Sequence, residues 1–318
     1  MDKKKMNQDL KHDGVEGIVV EAGERYRRLS RRHLLGLRAG LSLPDRDLLG
    51  LLRQHRFLTS HQVAGLVHAK AASNLAGLRA GQRQLRKLHD LGLVNHLPRK
   101  VGGYGGGQAQ TVWHLSEGGH RLLGLDRPDD EKADKSLRQR FREPSPQFLA
   151  HTLRVADIRL ALEQLSRPER AGAADNHETD SIDLTLIQTE PVCWRTWVST
   201  YGGSAVLRPD LYAETSDPDF DYFYFIEADM DSEHAPAIMK KARVYQTYYQ
   251  TGLEQARHGG VFPLVLWVTP DERRARQILN TIRADPKCDE RLHRAVTMAD
   301  LPNFLSHHGE DPVAVKPP

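Results

Sequence analysis

Between residues 44 and 116 three helical patterns are followed by two short β runs around a glycine-rich tip, an order that leaves few folds open. Pro44-Asp45 opens the first helix through DRDLLGLLRQHRF, with Leu48, Leu49, Leu51 and Leu52 as its apolar face. Thr59-Ser60 caps a second helix, SHQVAGLVHAK, which turns Val63, Leu66 and Val67 inward. A third runs from Leu75 to Leu91, LAGLRAGQRQLRKLHDL, and Gly92 closes it as a left-handed residue just past a helix end. LVNHLPRK and TVWHLS then flank VGGYGGGQAQ. That tip lacks the Gly-Lys-Ser/Thr ending of a phosphate loop, and no helix follows it directly.

Three helices and a hairpin predict a winged helix-turn-helix over residues 44–126, preceded by a basic segment, 1–43. In that segment RYRRLSRRHLLGLRAG spells a basic helix with no evident tie to a core. The third helix carries Arg79, Arg83, Arg86 and Lys87 at three- and four-residue spacing, with Asp90 as its only acid. Such a face suits the major groove, where arginine reads guanine through two bonds. Arg99 and Lys100, at the root of the wing, are expected beside the sugar-phosphate backbone. The partner predicted is double-stranded DNA. Protein contact is the alternative use of the same module, and the basic third helix favours DNA over it. Charge distribution agrees: residues 1–150 hold 27 Lys/Arg against 16 Asp/Glu, net +11, and the remainder 18 against 26, net −8.

A charged, proline-flanked linker (127–146) leads into a second region, 147–300. It reads as a helix, QFLAHTLRVADIRLALEQL, then three strands, IDLTLIQTEPV, AVLRPDLYAE and DYFYFIEAD. A helix, HAPAIMKKARVYQTYYQTG, a buried strand, FPLVLWVTP, and a further helix, DERRARQILNTIRA, follow. The order α-β-β-β-α-β predicts an α/β sheet containing a hairpin and a parallel strand reached across a helix. The chain as a whole is then α/β, or α+β when both units are counted. Residues 301–318 are expected to be a flexible tail.

In this order Asp210 falls at one strand end, and Glu227 and Asp229 at the next. Residues two apart leave the same face of a sheet. Three converging carboxylates repel unless neutralised, and Mg²⁺ (or Mn²⁺) would both neutralise them and activate a water. The plain alternative is an acidic surface edge. Glu190, ending the first strand, is a candidate fourth ligand. A lysine to hold water or phosphate would be Lys240 or Lys241, with Lys241 preferred. His151 either orients a phosphate or a carboxylate, or packs a helix, and Glu233 is expected to cap the following helix. Tyr245, Tyr248 and Tyr249 have the spacing of core residues more than of nucleophiles, and no His-x-His cluster accompanies them. His307 and His308 read as solvated.

Pro209-Asp210 and Glu227 resemble the PD and the second acid of the PD-(D/E)xK nuclease superfamily, which implies a restriction-endonuclease-like αβββαβ domain. Asp229 stands where that pattern places its lysine. Some members carry the lysine on the neighbouring helix, which Lys240 or Lys241 would represent. From about residue 44 to 285 the chain is similar to the replication-relaxation family. The resembling stretches are HRFLTSHQVA, QRQLRKLHDLGLV, VWHLSEGG, FLAHTLRVAD, RPDLYAE, FIEADMDSE, KKARVYQTYY and FPLVLWVTP. The resemblance implies a DNA-binding protein of a plasmid or mobile element, acting in replication, relaxation or mobilisation. It is either a metal-dependent endonuclease or nickase, or a non-catalytic accessory protein or transcription regulator. A relaxase or replication protein and a second copy of the chain are the further partners implied.

No apolar run approaches the ~20 residues that cross a bilayer. The charged N-terminus, MDKKKMNQDLKHDG, is unlike a secretory signal, so a cytoplasmic location is expected. Cys193 and Cys288 offer neither zinc spacing nor a disulfide framework.

Overall fold

The computed structural model describes residues 28–98, 100–102, 110–125, 143–166, 182–199, 202–307 and 314–315, in a mixed α/β arrangement. The first unit holds α1 (Arg31–Gly40), α2 (Leu43–His55), β1 (Leu58–Thr59), α3 (Ser60–Val67), α4 (Asn74–Asp90), β2 (Val94–His96), β3 (Val112–Leu115) and α5 (Glu117–Gly124). Side chains set most of these starts. Ser42 and Thr59 build reciprocal capping boxes with Asp45 and Gln62, each meeting two amide donors that the first helical turn leaves without partners. Gly92 ends α4 at φ 69°, the conformation its lack of a Cβ allows. The three strands form an antiparallel sheet in the order β1-β3-β2.

Leu48, Leu49, Leu58, Val63, Leu85 and Leu88 fill the core between these helices and the sheet. Each such side chain contributes about 1.5–3 kcal/mol when fully buried. This core reaches back to Leu34 of α1, and Arg121 donates to the Leu29 carbonyl at 2.6 Å. The basic helix ahead of residue 44 is therefore tied down by Leu34, Leu37 and Leu41 and by Arg121. At Gly119 an added Cβ would run into the Leu93 carbonyl, so only glycine lets α5 start against the β2 strand.

The second unit comprises α6 (Pro146–Leu165), β4 (Asp183–Thr189), β5 (Arg195–Val198), β6 (Ser204–Leu207), β7 (Leu211–Ser216), β8 (Asp221–Ala228), α7 (Ala235–Tyr249), α8 (Leu253–Arg257), β9 (Leu264–Thr269), α9 (Glu272–Arg283), a 3₁₀ turn (Glu290–Leu292), β10 (His293–Thr297), α10 (Leu301–His307) and β11 (Ala314–Val315). The main sheet runs β10-β9-β8-β7-β4, with β11 against the start of β8. As the order of elements predicts, β7 and β8 form an antiparallel hairpin, and β9 lies parallel to β8 across α7. Alternation along β8 sends Tyr224 and Ile226 to one helical layer and Phe225 and Glu227 to the other. Ile158, Leu162, Leu301 and Leu305, from α6 and α10, cover the first face. Tyr245 and Ile278, from α7 and α9, cover the second.

Two readings change. AVLRPDLYAE is not one strand: it divides into β6 and β7 at Arg208-Pro209-Asp210, where proline has no N–H for the ladder. Asp210 therefore precedes β7 instead of ending a strand. Within 301–318, read as a flexible tail, Leu301 and Leu305 lie four apart on α10 and are fully buried. His308 lies outside the described residues.

The units meet where α2 and α3 face α6. Gln62 Nε2 donates to the Leu153 carbonyl at 2.8 Å and to Asp157 at 2.6 Å, while Arg159 donates to Gln54 at 2.6 Å and to His55 Nε2 at 3.3 Å. No helix of the described residues is long and apolar enough to cross a membrane.

Candidate functional site

The β7–β8 pairing puts Asp210 opposite Glu227. Leu211 is in register with Ile226, and the Asp210 amide donates to the Ile226 carbonyl at 3.1 Å. Asp210 Oδ2 accepts the Ala228 N–H at 2.8 Å, and Oδ1 lies 3.0 Å from His151 Nε2. The hydrogen bond and charge of Asp210 raise the His151 pKa, outweighing burial. Behind this turn the Cys193 thiol donates to the Pro209 carbonyl at 3.0 Å, and burial pushes that thiol up to about 12, which keeps it a donor.

Glu227 is 2% exposed. Its Oε2 accepts from Lys241 Nζ at 3.0 Å and its Oε1 from the Tyr245 hydroxyl at 2.6 Å. Burial raises the Glu227 pKa above the usual carboxylate range, with Lys241 opposing the shift and Asp210 adding to it. Burial works against the Lys241 charge, yet Glu227 and Asp210 outweigh it and hold the ammonium protonated. Lys241 also bridges to Glu233 at 2.9 Å, so Glu233 is an ion-pair partner; the residue capping α7 is His234. Lys240 is exposed to solvent. Of the two candidate lysines, Lys241 is the one brought to the carboxylates. The buried Tyr245 and Tyr248 are core residues, bonded to Glu227 and Glu254.

Asp229 does not join Asp210 and Glu227. The strand ends at Ala228, and Asp229 meets the buried Arg274 of α9, which donates to both carboxylate oxygens at 2.8 Å. Arg274 also donates to the Glu233 carbonyl at 2.7 Å. A fixed guanidinium thus supplies the neutralisation for which a cation was expected. Glu190 follows β4; local desolvation and the Asp210 charge raise its carboxyl. Among the described residues no group of three or more His, Cys, Asp or Glu is placed to hold a metal ion. A cage of Asp210, Glu227, Asp229 and Glu190 does not fit this arrangement. The adjacent pair Asp210–Glu227 is what remains of the expected acid set, and its four oxygens already meet the Ala228 amide, His151, Lys241 and Tyr245.

On α4, Arg79, Arg83 and Arg86 are exposed, and they have no acidic partner among the described residues. Lys87 differs. Its Nζ donates to the buried Asp45 at 2.6 Å, which ties it to the start of α2. Burial opposes ionisation of Asp45, but Lys87, Ser42 and Gln84 outweigh it and hold the carboxyl below its ordinary value. Lys100 is exposed beside the Val101–Gln110 bridge; Arg99 and the tip 103–109 lie outside the described residues.

The contacts of three residues escaped the sequence reading. Tyr245 lies one helical turn from Lys241, an i, i+4 relation that places both on one face. Arg274 and Cys193 lack any such local signal, since only the folded sheet brings them to Asp229 and Pro209.

The replication-relaxation family profile matches residues 49–265 of the chain. No curated protein and no solved structure matches it.

Proposed function

The chain belongs to the replication-relaxation family, and from that premise we propose that it binds double-stranded DNA and serves the replication or relaxation of a plasmid or mobile element. In this reading the first unit is a winged helix-turn-helix. α3 and α4 are its helix-turn-helix, β2 and β3 its wing, and α4 enters the major groove. The observation carrying the proposal is the row Arg79, Arg83 and Arg86, three exposed guanidiniums without acidic partners among the described residues. At 1.5 Å per residue they cover about 10 Å of helix, or roughly three base pairs at 3.4 Å each. Three such cations match a run of phosphates and guanine edges, and burying them against an apolar protein surface would leave their charges uncompensated. Anisotropy of a labelled duplex, titrated at several salt concentrations, tests this. Arg83→Ala with Arg86→Ala should reduce the slope of log K against log salt by about 2. An unchanged slope would remove α4 from the interface.

A second reading, a divalent-metal-dependent endonuclease or nickase, is favoured by Asp210 lying beside Glu227 with Lys241 in bonding reach. The second unit is then the PD-(D/E)xK-like domain. Asp210 and Glu227 would hold Mg²⁺ or Mn²⁺, and the ion would supply charge neutralisation and an activated water. Lys241 orients Glu227, Tyr245 donates to its second oxygen, and Cys193 fixes the turn carrying Asp210. Incubating supercoiled plasmid with protein and either ion separates the readings. Nicking that disappears in Asp210→Ala and Glu227→Ala supports the enzyme. Tight DNA binding without nicking leaves an accessory protein, which would recruit a relaxase or replication enzyme, or a second copy of itself.

A further inference from the structure

Gly77 and Gly81 lie one turn apart on α4 and are buried against the end of α3, where an added Cβ would stand 3.2 Å from the His68 carbonyl and 3.5 Å from the Ala64 amide. Gln84 and Leu88 are buried on the same side. At about 100° per residue, the opposite side of the helix carries Leu75, Arg79, Gln82 and Arg86 in a stripe about 60° wide, with Arg83 about 40° beyond its edge. All five are exposed. Two of them are not cations. Leu75 is 56% exposed, an apolar side chain at the head of a basic row and one turn before Arg79. Gln82 contrasts with Gln84, whose amide is occupied inside by His68 at 2.8 Å and Asp45 at 3.3 Å. The Gln82 amide has no hydrogen-bond partner among the described residues.

We infer that α4 reads a mixed sequence and lies in the groove in one direction. Its N-terminal part stands over base edges, with Leu75 on a thymine methyl, Arg79 on a guanine and Gln82 on an adenine, while Arg83 and Arg86 hold flanking phosphates. From Leu75 to Arg86 the stripe is about 16 Å long, more than the roughly 12 Å width of the major groove, so its ends meet different groups. An apolar side chain gains nothing beside a phosphate. That puts the Leu75 end over the bases and the Arg83–Arg86 end on the backbone. The thymine 5-methyl is an apolar group displayed in the major groove, and adenine N6 and N7 offer the donor and acceptor that a glutamine amide matches with two bonds. Arginine makes the corresponding pair with guanine O6 and N7. The three arginines beside Leu75 and Gln82 select a polyanion over an apolar protein surface as the occupant. The inference rests on the reading of α4 as the helix that enters the major groove, and adds to it the bases that are read.

Selection of duplexes from a randomised pool by the full chain, followed by sequencing, gives the preferred site, and anisotropy on that duplex tests each contact. The expected site holds a thymine, a guanine and an adenine within about five base pairs. Deoxyuridine put in for each thymine in turn deletes only the methyl group. At one position it should weaken wild type roughly fourfold and leave Leu75→Ala unmoved. Replacing the adenine's pair by G·C should cost wild type roughly tenfold and Gln82→Ala less than about twofold. Both variants change exposed side chains, thermal melts check their folding, and their salt slopes should equal that of wild type. Duplex binding without sequence preference, or losses on the altered duplexes that are equal in wild type and variants, would overturn the base assignments and leave α4 a phosphate-holding helix. Absence of binding to any duplex would instead remove the α4 reading, and the base assignments with it.

Discussion

Arg274 closes on Asp229 through two hydrogen bonds of 2.8 Å each, with both side chains at most 2% exposed. The pairing takes Asp229, the second acid of FIEAD, out of the candidate site and makes it a strut between β8 and α9. Asp229→Ala removes both short hydrogen bonds and leaves Asp231, 3.3 Å from the Arg274 Nε, as the remaining charge partner, at a cost of about 1–3 kcal/mol. Urea denaturation monitored by circular dichroism measures that loss; a value below about 1 kcal/mol would mean that Arg274 finds water or another carboxylate.

The two neighbouring lysines should separate cleanly. Lys240→Met, at an exposed position, is expected within about 0.5 kcal/mol of wild type. Lys241→Met removes the cation that restrains the rise in Glu227 pKa. A carboxyl raised in the folded state contributes stability that is present below its unfolded pKa and is lost as pH rises through the folded value. Without Lys241 that folded value climbs further, so the deficit of Lys241→Met should widen from pH 5 to pH 8. Parallel denaturant melts at the two pH values check this, and a constant deficit would contradict the coupling.

Lys87 belongs to the same basic helix as Arg83 and Arg86 but answers to Asp45. Lys87→Ala is expected to lower stability by about 1 kcal/mol. Its effect on duplex affinity should be smaller than that of Arg83→Ala or Arg86→Ala, each about 1–3 kcal/mol if a base contact is lost. Melting temperatures and anisotropy on the same three variants give the comparison.

His55 links stability to acid. Burial, and then the nearby Arg159 charge, lower its pKa from 6.5 to about 3. The unfolded chain therefore takes up the proton first, and stability falls as pH drops below about 6.5. Between pH 7 and pH 5 the advantage of wild type over His55→Gln should shrink by up to about 2 kcal/mol. Denaturation across that range tests it, and a difference that does not move with pH would place the histidine in contact with water.

Local signals were legible in this chain and long-range pairings were not. The helix opening at Pro44-Asp45, the cap at Thr59, the glycine at 92 and the apolar, aromatic run DYFYFIEAD are written within a few residues, and the elements they predict are present. Pro209 was visible too, but reading across it merged β6 with β7, although a missing N–H is enough to divide them. The juxtaposition of Asp210 and Glu227 follows from two strands turning back on each other, so spacing foresaw it. The fate of Asp229 depended on an arginine 45 residues away, and that of Lys87 on an aspartate 42 residues away. Charge counts along the sequence cannot distinguish a cation facing solvent from one already paired.

The side chain of Gln62 completes the capping box of α3 and also grips α6 at Leu153 and Asp157. One residue thus fastens the helix before α4 to the helix that carries His151. On the DNA-binding reading proposed above, such a joint would act as a ruler: with α4 seated on a chosen sequence, the acid site would stand at a set number of base pairs from it. Any cut would then fall at a constant offset from the sequence read, and loosening Gln62 would blur that offset before it weakened binding.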